Sequence, residues 1–167
     1  MKTLPATILS LVLFSSVLIS CSKDDDEIYF SKNVETIVEK KSYSAIELEI
    51  LNLVNNHRKT LNISTLNTLD LISGVANGHT NYMISQGKAS HDNFAERSHT
   101  LITTANANNV AENVAFGYST AQGTVNAWLN SSSHKSIIES PNFTHFGIST
   151  ECDGQGRNYF THIFIKK

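Results

Sequence analysis

The sequence is short of cysteine, proline and glycine, and it has no excess of basic residues. Among its 167 residues are 2 Cys, 2 Pro and 8 Gly, which excludes a disulfide-framed miniprotein, a collagen-like chain and a linker-dominated chain. The 13 basic and 15 acidic residues give a formal net charge of −2, which argues against nucleic-acid binding because that function needs a basic face. Apolar residues make up 40% of the chain and charged residues 17%, as expected for one globular domain with a core.

The first twenty residues have the features of a secretory signal. Lys2 supplies a positive start, and residues 8–19 form an apolar run that is too short to span a bilayer comfortably. The segment Leu18-Ile19-Ser20-Cys21 resembles the bacterial lipobox, in which cleavage precedes the cysteine and the new N-terminal cysteine is acylated. An ordinary signal peptide followed by a cysteine is the alternative. Several acyl chains on Cys21 would anchor the protein stably to a membrane.

Residues 21–43 are interpreted as the acylated cysteine and a polar, acidic tether. The run Asp24-Asp25-Asp26-Glu27 resembles the surface-export signal of some bacterial lipoproteins, and a plain solvated tether is the alternative. If Cys21 is acylated, Cys152 has no partner in the chain. We therefore expect Cys152 to be a free, partly buried thiol, and we expect no disulfide bond.

Helical patterns come first in the exported part, and strand patterns gather toward its C-terminal half. Capping patterns at Ser44 and Asn93 mark two helix starts, and Gly87 marks a helix end. After the helix that begins at Ser44, helices are predicted over 68–86, 93–104 and 120–130, a short turn over 134–139, and strands over 110–116, 146–151 and 159–165. This order predicts an α+β domain over residues 44–167, with helices packed on a small antiparallel sheet.

Three polar residues are placed where a site could be built. His91 lies in a loop after a predicted helix, and His134 follows three serines near a predicted helix start. Glu112 lies within an apolar stretch, where a carboxylate is costly unless it is paired or hydrogen-bonded. The alternative is an edge-strand glutamate facing solvent and two ordinary histidines. His79 falls on the apolar stripe of the second helix, which predicts a hydrogen-bonded role in the core.

At these residues the sequence resembles the CAP superfamily, also called SCP-like domains. The resemblance extends over about residues 45–165 and depends on ordered motifs, each of them weak alone. They are Leu53–Arg58 with its Asn-x-x-Arg pattern, Ser90-His91-Asp92, Ala111-Glu112-Asn113-Val114-Ala115, Trp128–His134, and the closing segments Pro141–Ile148 and Tyr159–Phe164. The resemblance implies an α-β-α sandwich with a central cavity, which two His and two Glu line in the family.

The same resemblance implies roles for individual residues. Carried over, His91 and His134 are the pair that can hold zinc or another divalent metal, and Glu112 is one of the two cavity glutamates. The second glutamate position is Ser131 in this chain, so the tetrad is incomplete. Structural roles in the motifs fall to four further residues, namely Asn55, Arg58, Asn113 and Trp128. We expect Asn55 and Arg58 to tie the first helix to a loop.

These features predict a non-enzymatic, lipid-anchored CAP-domain protein of the cell envelope, at the outer membrane or cell surface. It would bind a small molecule, lipid or protein in its cavity, with a weak divalent-metal site at His91 and His134. One alternative is a metal-assisted hydrolase acting on peptide or envelope polymer, in which Glu112 activates water. Another alternative is a lipid or sterol carrier with an apolar groove. A membrane is the expected partner through Cys21, and nucleic acid is not.

Overall fold

The computed structural model describes residues 42–167, so the predicted signal, the acylation site at Cys21 and most of the predicted tether lie outside the described residues. In chain order the described elements are α1 (Ala45–Thr60), β1 (Asn67–Thr68), α2 (Asp70–Gln86), α3 (Phe94–Ala105), β2 (Asn109–Phe116), α4 (Ala121–Asn130), α5 (Ser132–Ile138), β3 (His145–Cys152) and β4 (Asn158–Lys166). None of the helices within residues 42–167 has the length and apolarity needed to cross a membrane.

The four strands form one sheet in the order β1-β3-β4-β2. The pairs β3–β4 and β2–β4 are antiparallel, which confirms the predicted antiparallel sheet. The helix predicted from about Thr68 begins at Asp70, because Asn67 and Thr68 form a short strand that pairs in parallel with His145 and Phe146 and was not predicted. This pairing puts β1 at one edge of the sheet and β2 at the other.

Helices cover both faces of the sheet, which confirms the predicted α-β-α sandwich. On one face, residues of α1 and α4 such as Val54 and Trp128 pack against Phe146 and Phe164 of the sheet. On the other face, α2 and α3 pack against β4, and the members of this second cluster include Ile72, Leu101, Ile163 and Ile165. Strand side chains alternate between faces, so β2 and β4 contribute to both clusters.

Two of the three predicted helix ends have the expected geometry, those at Ser44 and Gly87. Ser44 caps α1 through its side chain, and Glu47 returns a bond to the Ser44 backbone N–H, which confirms the capping box. Gly87 ends α2 in the left-handed conformation with φ 66°, as predicted. Asn93 precedes α3 but is itself left-handed, with φ 58°, and its side chain makes no capping bond, so the predicted cap at Asn93 was wrong. Tyr43, predicted in the tether, hydrogen-bonds Ser73 at 2.8 Å and so belongs to the domain.

The helix α2 packs directly on the backbone of β3 at Gly147. A Cβ atom at Gly147 would lie 2.6 Å from the backbone nitrogen of Ser73 and 2.8 Å from Cβ of Ile72. The Ser73 hydroxyl also accepts a hydrogen bond from the Ile148 backbone N–H at 3.1 Å. This close contact fixes α2, and therefore His79, at a set height above the sheet.

Candidate functional site

Neighbouring residues of β2 hold the two helical layers to the sheet. Because strand side chains alternate, Glu112 points to the α2–α3 layer and Asn113 points to the α4–α5 layer. Asn113 donates from Nδ2 to the backbone oxygen of His134 at 3.2 Å, which fixes the first turn of α5. Two residues in sequence thus position both predicted histidine segments on opposite sides of one strand.

The Glu112 carboxylate is held by cationic and polar groups from one layer. Arg97 of α3 donates from Nε to Oε2 and from Nη2 to Oε1, each at 2.8 Å, in a two-pronged ion pair. His91 approaches Oε1 through Nδ1 at 2.9 Å. The Glu112 side chain is 1% exposed and that of Arg97 is 10% exposed, so the pair is removed from water. His91, with its side chain 49% exposed, forms the solvent-facing part of the cluster.

These contacts keep Glu112 ionised. Burial raises the pKa of the Glu112 carboxyl, but the hydrogen bonds from His91 and Arg97 and the charge of Arg97 together lower it below the ordinary value. An ionised carboxylate only accepts hydrogen bonds, so Nδ1 of His91 carries the proton. A carboxylate with a lowered pKa and both oxygens engaged is a poor general base.

His79 lies beneath this cluster as a neutral ring, in the buried position predicted from the sequence. Its Nε2 donates to the backbone oxygen of Ser90 at 2.7 Å and lies 3.9 Å from Oε1 of Glu112. Burial lowers the pKa of His79, so the contact with Glu112 is not an ion pair at neutral pH. The ring supports the loop that carries His91.

His134 is close enough to His91 for the charge of one ring to act on the other. Burial lowers the pKa of His134, and the nearby charge of His91 lowers it further. Between the two layers, a cleft of about 260 Å³ opens along β2, lined by His91, Phe94, Val110, Ala111, Glu112 and Ile137. We call this the edge cleft. Its walls are Phe94 from one layer and Ile137 from the other, and its base is the strand itself.

The donor set of the edge cleft falls short of a resident metal centre. Within residues 42–167, no group of three or more His, Cys, Asp or Glu side chains could hold a metal ion. Both carboxylate oxygens of Glu112 already accept hydrogen bonds from Arg97. Ser131 is half-buried, and its hydroxyl lies 3.1 Å from that of Ser133. Two imidazoles are fewer ligands than structural or catalytic zinc sites have. The metal pair at His91 and His134 and the cavity role of Ser131 stay predictions.

The four residues with predicted structural roles are in structural contacts. Asn55 donates to the Leu66 backbone oxygen at 3.0 Å and accepts from the Leu66 N–H at 2.8 Å. Arg58, fully buried, donates to the backbone oxygens of Ser64 and Ile138, which joins α1 to the loop that follows it and to the end of α5. The Trp128 indole donates to the Val114 backbone oxygen at 2.9 Å, at the outer edge of β2.

Two features of the site region differ from, or were missing in, the sequence interpretation. Cys152 is an exposed free cysteine, not a partly buried one, because it lies where β3 ends at the hairpin turn. Arg97, the main partner of Glu112, was not proposed. A signal existed, since Arg97, Leu101 and Ala105 recur every four residues on the buried side of α3. An arginine on an apolar stripe implies a buried acidic partner.

Sequence and structure comparisons agree with this fold. The chain matches the CAP family, described as the cysteine-rich secretory protein family, over residues 51–164. A four-stranded sheet between helical layers, with the Glu–Asn pair on its edge strand, therefore belongs to a CAP domain, and the chain is a member of the CAP family.

Several relatives are similar to this chain. It is 29% identical to the uncharacterized membrane protein YlbC of Bacillus subtilis (strain 168), over 77% of this chain and 36% of that protein. It is 30% identical to the uncharacterized protein YkwD of the same organism, over 75% of this chain and 49% of that protein. The chain thus spans half or less of these two relatives. Among solved structures, an outer surface protein from Borrelia burgdorferi superimposes with a TM-score of 0.67 and 24% identity, covering 77% of this chain and 98% of that one.

Proposed function

We propose that this protein is an exported CAP-domain protein, lipid-anchored through Cys21, that binds a ligand in the edge cleft without transforming it. The observation that carries the binding role is the state of Glu112 at the base of the cleft. Its carboxylate is paired with Arg97 and His91, and its pKa is lowered, so it organises the cleft and is poorly suited to activating water. This favours a binding module over the metal-assisted hydrolase.

Export and anchoring are supported by the N-terminal sequence and by the character of the relatives. Residues 1–20 have the pattern of a secretory signal that ends at Cys21. One relative is described as a membrane protein and one structural neighbour as an outer surface protein. A weak divalent-ion site at His91 and His134 remains part of the proposal, with two imidazoles as its donors and Glu112 holding the orientation of His91.

The cleft assignment is tested with an uncharged apolar fluorophore, N-phenyl-1-naphthylamine. The apolar wall at Ile137 is expected to bind it, so fluorescence enhancement falls at least about fivefold in Ile137→Arg, which places a charge in the cleft. The matched control is Ile102→Arg, because Ile102 is 46% exposed on α3 and does not line the cleft. Phe94→Ser in the opposite wall is a second variant, and thermal unfolding shows that each variant is folded. Equal enhancement in all four proteins would rule out binding in the cleft.

The anchor is tested by changing one cysteine at a time. Cys21→Ser is expected to move most of the protein from the membrane pellet to the soluble fraction, because the acceptor of the acyl chains is removed. Cys152→Ser is the matched control and is expected to stay in the pellet, since Cys152 is an exposed residue at the end of β3. If both variants fractionate like the unmodified protein, the chain is not anchored through Cys21.

A further inference from the structure

One edge of the sheet has an unpaired stretch of backbone where it meets the edge cleft. The strand β2 is terminal in the sheet and pairs only with β4 among the described strands. Gly117 donates to the Asn158 oxygen at 2.8 Å, which fixes the alternation of the antiparallel ladder. Odd-numbered residues of β2 therefore turn their backbone groups to β4, and Val110, Glu112 and Val114 turn theirs outward.

The outward backbone groups of β2 have a hydrogen-bond partner at Val114 but not at Val110 or Glu112 within the described residues. The Val114 oxygen accepts the Trp128 indole N–H at 2.9 Å, which closes that part of the edge. At Val110 and Glu112, no group within residues 42–167 pairs with the outward backbone N–H or C=O. Glu112 is 5% exposed as a residue, and buried backbone polar groups without partners are rare in folded proteins because they are costly.

The edge cleft opens onto this unpaired stretch. Val110, Ala111 and Glu112 line it, between the apolar side chains of Phe94 and Ile137. The outward groups repeat every second residue, about 7 Å apart in a strand. An extended polypeptide presents donors and acceptors with the same repeat, whereas a hydrocarbon chain presents neither.

We propose that an extended peptide segment pairs with Val110 and Glu112 as an additional strand in the edge cleft, with an apolar side chain between Phe94 and Ile137. This rests on the proposed function, since it names the ligand class of that binding site. The Trp128 contact at Val114 limits the pairing to a short stretch, so specificity comes from the two walls and affinity from the backbone hydrogen bonds. A peptide can pair with the alternating backbone donors and acceptors of β2, whereas the hydrocarbon chain of a lipid in the same cleft cannot.

The test uses the full chain carrying Cys21→Ser and the blocked hexapeptide acetyl-Ser-Val-Ser-Val-Ser-Val-amide. We expect NMR titration to show saturable shifts at Phe94 and Ile137 and slower amide exchange at Glu112. Val110→Pro removes one outward N–H but no bond to β4, and it is expected to weaken binding about tenfold or more. Val114→Pro is the matched control, outside the cleft, and is expected to leave the affinity within about twofold. The peptide with alternate amides N-methylated is expected to lose binding as well.

The outcomes separate this inference from the proposed function. If the hexapeptide gives no saturable shifts, or if neither Val110→Pro nor N-methylation weakens its binding, strand pairing at β2 is wrong. If the apolar fluorophore then still depends on Ile137, the cleft binds a ligand of another class and the proposed function stands. If neither probe responds to Ile137→Arg, both proposals are contradicted.

Discussion

Replacing Glu112 with alanine is expected to destabilise the domain by roughly 3–5 kcal/mol, because it leaves the buried Arg97 guanidinium without its carboxylate. The Arg97 side chain is 10% exposed and makes two hydrogen bonds of 2.8 Å to Glu112, so water replaces little of what is lost. Urea unfolding at pH 7 measures the change in the free energy of unfolding. The β2 strand and the loop with His91 should lose amide protection first, since Glu112 connects them.

A double substitution distinguishes the loss of the Arg97–Glu112 ion pair from the cost of leaving one buried charge unpaired. Arg97→Met and Glu112→Leu together are expected to be clearly less destabilising than Glu112→Ala alone, because no buried charge is left unpaired. Glu112→Gln keeps the shape and removes the charge, so its cost should be intermediate. If Glu112→Ala costs less than about 1 kcal/mol, the carboxylate does not hold the two layers as described.

Replacing His162 with methionine is expected to make the domain markedly more resistant to acid. His162 of β4 is fully buried among the rings of Trp128, Phe146 and Phe164, with centroids 5.5, 5.4 and 4.3 Å away. Neither ring nitrogen has a hydrogen-bond partner within residues 42–167, and burial lowers the pKa of His162 to about 3. Methionine is apolar and adapts its shape to such a site.

Acid lowers the stability of the unmodified domain because His162 binds a proton more readily in the unfolded chain than in the folded one. Below the ordinary pKa of 6.5 the unfolded chain binds a proton at His162, whereas the folded chain does so only near pH 3. His162 therefore lowers stability progressively from pH 6.5 to pH 3, by about 2 kcal/mol between pH 7 and pH 5 and about 5 kcal/mol in full. His162→Met should remove this loss, while His99→Met, an exposed control on α3, should not. Parallel pH profiles for His162→Met and the unmodified protein would contradict the assignment.

Much of the fold could be predicted because its signals are local. The capping box at Ser44 and the glycine at Gly87 act within a turn of their own helices, and both are present as predicted. The strand β1 could not be predicted, because two residues carry no periodicity and their partners in β3 lie far along the chain. The cap at Asn93 failed because the residue adopts the left-handed conformation instead of an extended one.

The candidate site was only partly accessible to sequence reasoning. Motif order indicated His91 and Glu112 together, and the structure joins them by a hydrogen bond of 2.9 Å. The order of the motifs could not indicate that Arg97 forms an ion pair with Glu112, because that contact depends on how α3 crosses β2. The burial of His162 could have been expected, since it alternates with Phe160 and Phe164 on one face of a strand.

The pairing of Glu112 with Arg97 is tested by titrating the Glu112 carboxyl carbon with ¹³C NMR in the unmodified chain and in Arg97→Met. We expect a midpoint below the ordinary value of 4.5 in the unmodified chain and a clear upward shift in the variant, because Arg97 no longer stabilises the carboxylate. A midpoint at or above 4.5 in the unmodified chain, or the same midpoint in both proteins, would mean that Glu112 is not the paired anion on which the binding function rests.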